Sequence, residues 1–270
     1  MVQDSQVLKT MEIAVYQVDA FTDQLFKGNP AAVCPLDKWL PDAHMQAIAA
    51  ENNLSETAFF VARGGVYDLR WFTPAIEVDL CGHATLATTH VLFKHLNYAA
   101  QTIVFETRSG QLLVSQSEGL YIMDFPSDQL EPVLPPAVLE QALGITPQEV
   151  WMGREDYLVI LDSEAAVAAL KPDFALLKQL QGRGVICSAK GDQVDFVSRC
   201  FFPNAGIDED PVTGSAHTTM TPYWAEKLGK QQLKGLQISK RGGQVQCTML
   251  GDRVALAGQA VTFLEGKLYC

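Results

Sequence analysis

Two stretches of the chain repeat the same order of apolar and polar positions. A strand-like run from Val66 to Phe72 carries Arg70-Trp71-Phe72-Thr73-Pro74, and eight residues past that proline begins a long apolar run, Gly82 to Leu96. A second strand-like run, Val194 to Phe201, leads into Arg199-Cys200-Phe201-Phe202-Pro203, and eleven residues on begins Gly214 to Leu228. Both long runs read as helices. Leu86, Val91, Leu92 and Phe93 spread apolar groups over most sides of the first, which marks a buried helix. Gly82, Ala84 and Leu96 match Gly214, Ala216 and Leu228. A helix over 41–52 and a strand over 56–62 precede the first copy; a helix over 173–181 and a strand over 184–189 precede the second. Three β-like runs follow each copy, at 101–106, 111–116 and 119–125, then at 235–240, 244–249 and 252–258. Turn signals such as Arg108-Ser109-Gly110 and Arg241-Gly242-Gly243 separate them. One shared word of this kind is common; a repeated order of elements points to two related halves.

The pattern predicts an α+β protein with two pseudo-repeated lobes, each a mostly antiparallel, barrel-like sheet bent around one central helix. The expected N-terminal lobe spans 11–126, with room for a C-terminal strand to complete it. The C-terminal lobe spans 127–260, and Pro132, Pro135 and Pro136 mark the passage between them. Residues 1–10 read as a flexible extension, polar and without the apolar core of a signal peptide.

Composition narrows the function. Of 270 residues 48% are hydrophobic and 19% charged, and the net charge is -11, which suits a compact soluble protein. A phosphate-backbone partner needs a basic surface, so no nucleic-acid partner is expected. No apolar run approaches a membrane span, so no membrane partner is expected. Cys34, Cys81, Cys187, Cys200, Cys247 and Cys270 form no Cys-x-x-Cys pair, which fits a reducing compartment, the cytoplasm. The chain shows no nucleotide loop, metal cluster or hydrolase triad signature, so neither cofactor nor metal is expected.

The candidate chemistry lies at the two glycine-led helix starts. A helix N-terminus offers free N–H groups and a positive dipole end, and two facing one cleft would hold a carboxylate without arginine. Gly82 and Gly214 would permit close approach, although either start alone is equally an ordinary one. The first carries Asp79, Cys81 and His83; the second carries Asp208, Glu209, Asp210, Thr213, Ser215 and His217. By the repeat, His83 and Ser215 occupy matching positions. Asp210 reads either as a catalytic acid or as the cap of the second helix, with Pro211 at its first position. His83 reads as a site residue or as a satisfied core histidine, and His44, His90 and His95 as structural. A helix start favours a reactive Cys81 thiol. Glu56 opens a strand, and alternation sets it on the face of Leu54, Ala58 and Phe60. An acid on an apolar face is costly unless paired or used, and burial brings carboxyls toward the range of a general base. Its other reading keeps the head group in water.

These residues fall in segments that together resemble one known family. Gly28-Asn29-Pro30-Ala31-Ala32-Val33, Asn53-Leu54-Ser55-Glu56-Thr57, Phe72-Thr73-Pro74, Cys81-Gly82-His83-Ala84-Thr85 and Asp208 through Ala216 resemble the PhzF-like (phenazine biosynthesis) family, in its order and over nearly the whole chain beyond residue 10. The resemblance implies the diaminopimelate-epimerase-like fold, with the active site between two lobes. It implies an isomerase in which Glu56 moves a proton within a small, cyclic carboxylate or amino-acid-like substrate, with His83, Asp210 and Ser215 as further catalytic residues. The substrate carboxylate would rest on backbone amides of the glycine loops, here Gly82, Ala84, Thr213, Gly214 and Ala216. Racemases of this fold use two opposed cysteines. Cys81 lies near the first position, and Asp210 is read at the second, which disfavours a two-thiol racemase; a non-catalytic binding or scaffold protein is the other alternative. The repeat, read along the sequence, sets Val185 opposite Glu56. A homodimer is the expected assembly, with a small-molecule carboxylate as ligand.

Overall fold

The structure, a computed structural model, describes residues 11–270; the expected extension over 1–10 lies outside the described residues. The first half runs β1 (Glu12–Ala20), β2 (Asn29–Leu36), α1 (Asp42–Asn52), β3 (Glu56–Arg63), β4 (Val66–Phe72), β5 (Glu77–Val78), α2 (Gly82–Lys94), β6 (Thr102–Thr107), β7 (Gly110–Ser117), β8 (Leu120–Pro126) and β9 (Glu131–Pro132). The second runs α3 (Ala137–Leu143), β10 (Glu149–Met152), β11 (Asp156–Ile160), α4 (Glu164–Ala169), α5 (Phe174–Leu177), β12 (Gly184–Lys190), β13 (Phe196–Phe202), β14 (Ile207–Asp210), α6 (Gly214–Leu228), β15 (Gln232–Gln237), β16 (Gly243–Leu250), β17 (Arg253–Gly258) and β18 (Ala260–Tyr269).

Strand pairing repeats between the halves. β2 and β3 pair parallel, as do β11 and β12; β3 and β4 pair antiparallel, as do β12 and β13; β4 and β6 pair parallel, as do β13 and β15. The equivalent strands β8 and β17 pair with each other, antiparallel, and form the seam between lobes. The last strand of each half crosses over: β9 pairs with β10 of the second lobe, and β18 pairs along its length with β1 of the first. The result is the sheet-dominated α+β architecture that the repeat predicts.

The two long helices fill the lobes. Every residue of α2 from His83 to Leu92 is buried, including Thr85, Thr88 and Thr89. Those threonines are accommodated because each hydroxyl donates to the carbonyl four residues back, at 2.6, 2.8 and 2.9 Å, so no polar group is left unpaired on the apolar stripe. In α6, Pro222 lacks the N–H that would bond the Thr218 carbonyl. The Asp128 N–H takes that place at 3.3 Å, which ties the segment after β8 to the second helix.

Three expectations differ. The strand expected over 235–240 lies at Gln232–Gln237. The helix expected over 173–181 is α only from Phe174 to Leu177; beyond it Gln179 and Leu180 bond to the carbonyls three residues back, so the coil tightens. Leu54 precedes the strand and packs with Phe59 on the α1 side, not with Ala58 and Phe60 around α2.

Gly28 sets the approach of the first lobe to the second. Its N–H donates to the Gly242 carbonyl at 2.7 Å, and Arg241 donates to the carbonyls of Gly28 and Lys27, both at 2.8 Å, and to buried Asp19 at 2.7 Å. Gly28 has φ +64°, and a Cβ there would sit 2.2 Å from the Ala20 oxygen. Gly28→Ala should therefore cost about 2 kcal/mol or more, read as a lower urea midpoint; an unchanged midpoint would remove this residue from the account.

Candidate active site between the two helix starts

The first turns of α2 and α6 meet in the middle of the molecule. A Cβ built on Gly82 would lie 3.5 Å from the Gly214 Cα, and one on Gly214 would lie 3.4 Å from the Gly82 Cα. A methyl on either glycine would thus make ordinary van der Waals contact with the other, and both positive helix ends face one place. Residues Gly82 to Ala84 and Gly214 to Ala216 supply first-turn N–H groups without intrahelical partners.

Glu56, His83 and Asp210, with exposures of 9%, 5% and 7%, are drawn to this point. Glu56 Oε2 lies 3.1 Å from His83 Nε2, yet neither atom has a well-aligned hydrogen bond. At that distance the charges interact strongly, while the angle leaves both atoms free for a ligand. Burial works against a charge on His83, but the Cys81 sulfur and the Glu56 carboxylate beside it hold its pKa well above the ordinary imidazole value. Burial also pushes the Cys81 thiol up to about 11, so Cys81 is neutral at pH 7 and the Glu56 carboxylate is the neighbour that favours charge on His83. This corrects the expectation of a reactive thiol: the helix end is outweighed by desolvation.

A chain of contacts crosses from His83 to the second lobe. Asn29 Nδ2 lies 3.3 Å from His83 Nδ1 and donates to Asp210 Oδ1 and the Val212 carbonyl, both at 2.9 Å. Its two hydrogens are used by those acceptors, which leaves the His83 Nδ1–H to Cys81 Sγ at 3.5 Å. The Ser55 hydroxyl donates to Asn29 Oδ1 at 3.2 Å. The Thr213 hydroxyl donates to Asp210 Oδ2. Gln237 accepts from the Thr213 N–H at 2.9 Å and donates to the Asp210 carbonyl at 2.6 Å. Asn29, Ser55 and Gln237 were not singled out from the sequence. Two of them stand inside the quoted segments, and Asn29 at a buried strand position was the available signal; Gln237 offered none.

Asp210 is not a helix cap. It ends β14, Thr213 is the residue before α6, and no side chain caps that helix. Burial raises the Asp210 pKa to about 6, against the lowering effects of His83, Thr213 and Asn29. Cys81 and Thr213 are the residues that precede the paired glycines, so Thr213, not Asp210, is the counterpart of Cys81. The partner of Glu56 also changes. Thr57 pairs with Phe72, and Val185 with Phe201; since Phe72 and Phe201 are equivalent, Val185 matches Thr57 and Gly184 matches Glu56. A Cβ at Gly184 would lie 2.1 Å from the Phe201 oxygen, so the second lobe has no room for a matching side chain.

Ser215 stands apart from this cluster. It is exposed, and its hydroxyl accepts from Arg183 at 2.9 Å. Arg183 also forks onto buried Asp156, so an arginine does lie at the second helix start, contrary to the expected scarcity of cations there. Asp79 and Asp208 are exposed, and Glu209 is held by Arg199 at 2.7 and 2.9 Å. His217 is buried, its pKa lowered by burial to about 4, with Nδ1 2.8 Å from the Thr213 carbonyl. His90 is likewise held neutral by burial, between Tyr121 and Thr262. Glu56, Cys81 and His83 place three donor atoms within 4.8 Å of one another. His83 turns Nδ1 toward Cys81 Sγ, at 3.5 Å, and Nε2 toward Glu56 Oε2, at 3.1 Å.

The sign of the Asp210 effect is fixed by its raised pKa. The stability it contributes is fully present below its unfolded value, 3.8, and is lost as pH rises through about 6. Asp210→Asn removes that loss. The melting temperature of the variant relative to the parent should rise between pH 4 and 6.5, by an amount on the order of 2–3 kcal/mol in stability. Parallel profiles would show that Asp210 does not titrate in this window.

Comparison with known proteins places this arrangement. The family model described as phenazine biosynthesis-like protein matches residues 18–266. An uncharacterized isomerase of Pseudomonas aeruginosa is 54% identical over 259 residues, 96% of this chain and 100% of its own length. The crystal structure of a PhzF family phenazine biosynthesis protein of Enterococcus faecalis superposes with a TM-score of 0.94 at 50% identity, over 96% of this chain and 100% of that one. A hydroxyproline epimerase of Agrobacterium vitis, at 8% identity and a TM-score of 0.60 over 96% of this chain and 92% of its own, shares the fold alone. Among the described residues no helix is long and apolar enough to cross a membrane. With the family model matched from residue 18 to 266, the chain belongs to the phenazine biosynthesis-like (PhzF-like) family, an isomerase family of the diaminopimelate-epimerase-like fold.

Proposed function

We propose that the protein is an isomerase that moves a proton between two carbons of a small, cyclic carboxylate or amino-acid-like metabolite, with Glu56 as the base. The observation that carries this reading is the buried Glu56–His83 pair, whose facing oxygen and nitrogen lack aligned partners. The Glu56 carboxylate takes the proton from a substrate C–H, and the electron pair enters the conjugated system of the substrate. The Glu56 carboxylic acid then returns the proton to another carbon, and no oxidant or second substrate is consumed. Protonated His83 stabilises the negative charge that develops. First-turn amides of Gly82, Ala84, Gly214 and Ala216 suit the substrate carboxylate, and Asp210, held by Asn29 and Thr213, fits an amino or hydroxyl group. Ser215 with Arg183 would act at the rim of the site. The reading includes a cytoplasmic setting, supported by six free cysteines, five of them buried.

One base on one face implies that the proton leaves and returns on the same side of the ring. The single-base reading is supported over the two-thiol racemase by the counterpart of Cys81 being Thr213 and the counterpart of Glu56 being Gly184. The test begins with small cyclic carboxylates and amino acids screened by melting temperature, followed by turnover in heavy water. Glu56→Gln should bind the same compounds and lose turnover and deuterium incorporation by at least about a hundredfold. Cys81→Ser, the control, should stay within about tenfold of the parent. Normal turnover by Glu56→Gln removes Glu56 as the base, and a thousandfold loss in Cys81→Ser revives the racemase.

A further inference from the structure

The Glu56–His83 pair has a counterpart across the repeat. β2 sets Ala31 beside Glu56, and β11 sets Asp156 beside Gly184, both in parallel register. Gly184 matches Glu56, so Asp156 matches Ala31, and Arg183, one residue earlier, matches Ser55. The second lobe therefore lacks the strand carboxylate and carries an ion pair beside its place. The room that a side chain at Gly184 would need is filled by Phe202, whose Cδ1 would lie 2.7 Å from a Cβ there. The Arg183 guanidinium stacks on that ring, 4.4 Å from its carbon to the centroid, and donates to Ser215 Oγ at 2.9 Å. In the first lobe Glu56 comes within 3.1 Å of His83. Each lobe thus brings one charge to the residue after its helix-leading glycine, negative in the first lobe and positive in the second.

The donors of this second pair are only partly used. Asp156 is 3% exposed and accepts from Arg183 with both oxygens. A buried carboxylate is costly unless paired, so this pair fixes the guanidinium in place. Nε and one Nη2 hydrogen go to Asp156, and the other Nη2 hydrogen goes to Ser215. Among the described residues Nη1 donates to no acceptor, and exposed Glu155 comes no closer than 3.8 Å, at Nε. The Ser215 hydroxyl accepts from Arg183, and its own hydrogen meets no acceptor among the described residues. The Arg183 side chain is 30% exposed, so these donors lie within reach of a ligand. A guanidinium edge beside a hydroxyl matches the oxygens of a carboxylate.

We propose that Arg183 and Ser215 form a second carboxylate subsite, so that the substrate is a small cyclic dicarboxylate. One carboxylate rests on the helix-start amides and the other on the Arg183 guanidinium and the Ser215 hydroxyl. The inference rests on the proposed carboxylate isomerase and narrows its substrate. Arg183 sets specificity by touching the second carboxylate, and Asp156 is a positioning residue that acts through Arg183. The two subsites share the first turn of α6, whose amides serve one and whose Ser215 side chain serves the other. That spacing suits two groups on one ring.

The probes are benzoate, phthalate, isophthalate and terephthalate, one ring with one or two carboxylates, titrated into the full chain by calorimetry. The parent should bind at least one dicarboxylate about tenfold or more tighter than benzoate. Arg183→Met combined with Asp156→Leu replaces the buried pair by apolar side chains, which spares the fold an unpaired aspartate. That double variant should bring the ratio of the two affinities to about one, the value without the charged hydrogen bonds. Ser215→Ala, at an exposed position that leaves the ion pair intact, should lower the same ratio by about threefold or more. A purely structural ion pair would lower the melting temperature of the double variant and leave the ratio unchanged. Equal binding of benzoate and all three dicarboxylates, or a preference that survives either change, overturns the proposal and leaves the carboxylate isomerase standing. Binding of none of the four probes overturns both.

Discussion

Gly82 and Gly214 start the two central helices side by side, so close that a Cβ on either would contact the Cα of the other. That contact would be an ordinary one, at 3.4–3.5 Å, so the space between the helix starts is about one methyl wide. Two positive helix ends share that small volume, and the charged groups nearby adapt to it. Glu56 lies there beside His83, 3.1 Å from Oε2 to Nε2, and helps hold the imidazole pKa well above its ordinary value. Asp210 sits one residue away through Asn29, with hydroxyl and amide donors on its oxygens. Three ionisable groups are thus buried together, each with named partners. This is how a buried charge is tolerated.

The site is asymmetric although the scaffold repeats. Equivalent positions carry His83 and Ser215, Cys81 and Thr213, Glu56 and Gly184. The first lobe keeps the base and its imidazole. The second supplies Asp210 and Thr213, and Asn29 reaches across from β2 to bind them. Lobe alignment is therefore part of the chemistry. The Arg241 fork on Asp19, Gly28 and Lys27 fixes the loop that delivers Asn29. Crossing of β9 and β18 between lobes adds a covalent constraint, because neither half can complete its sheet without a strand from the other.

Much of this was legible in the sequence, for identifiable reasons. The repeat, the two buried helices and the strands beside them show strong patterns, because a buried helix is apolar all round and a half-buried strand alternates. Glu56, His83 and Asp210 stood out as acids and a histidine beside apolar elements, and the family resemblance, not the pattern, supplied their roles. The segment from 127 to 172 gave no such pattern: β9 and β10 are two and four residues long. The register of β3 and β12 was misread by one residue, since only cross-strand pairing, not sequence spacing, shows that Gly184 matches Glu56. The three-residue difference between the Pro74-to-Gly82 and Pro203-to-Gly214 connections shifted Asp210 into the apparent place of Thr213. The burial that neutralises Cys81 is a tertiary property, and a local rule about helix N-termini gave the opposite sign.

The central claim is that Glu56 and His83 form a buried ion pair in the resting enzyme, and it can be tested without knowing the substrate. The measurement is the 15N chemical shift of the His83 ring nitrogens across pH 6 to 9, in the parent and in Glu56→Gln. The account predicts that both nitrogens of the parent carry protons at pH 7, above the ordinary imidazole range. It predicts that loss of the carboxylate lets burial dominate, so that His83 in the variant is neutral at the same pH. A neutral His83 in the parent at pH 7, or one unchanged by Glu56→Gln, would contradict it.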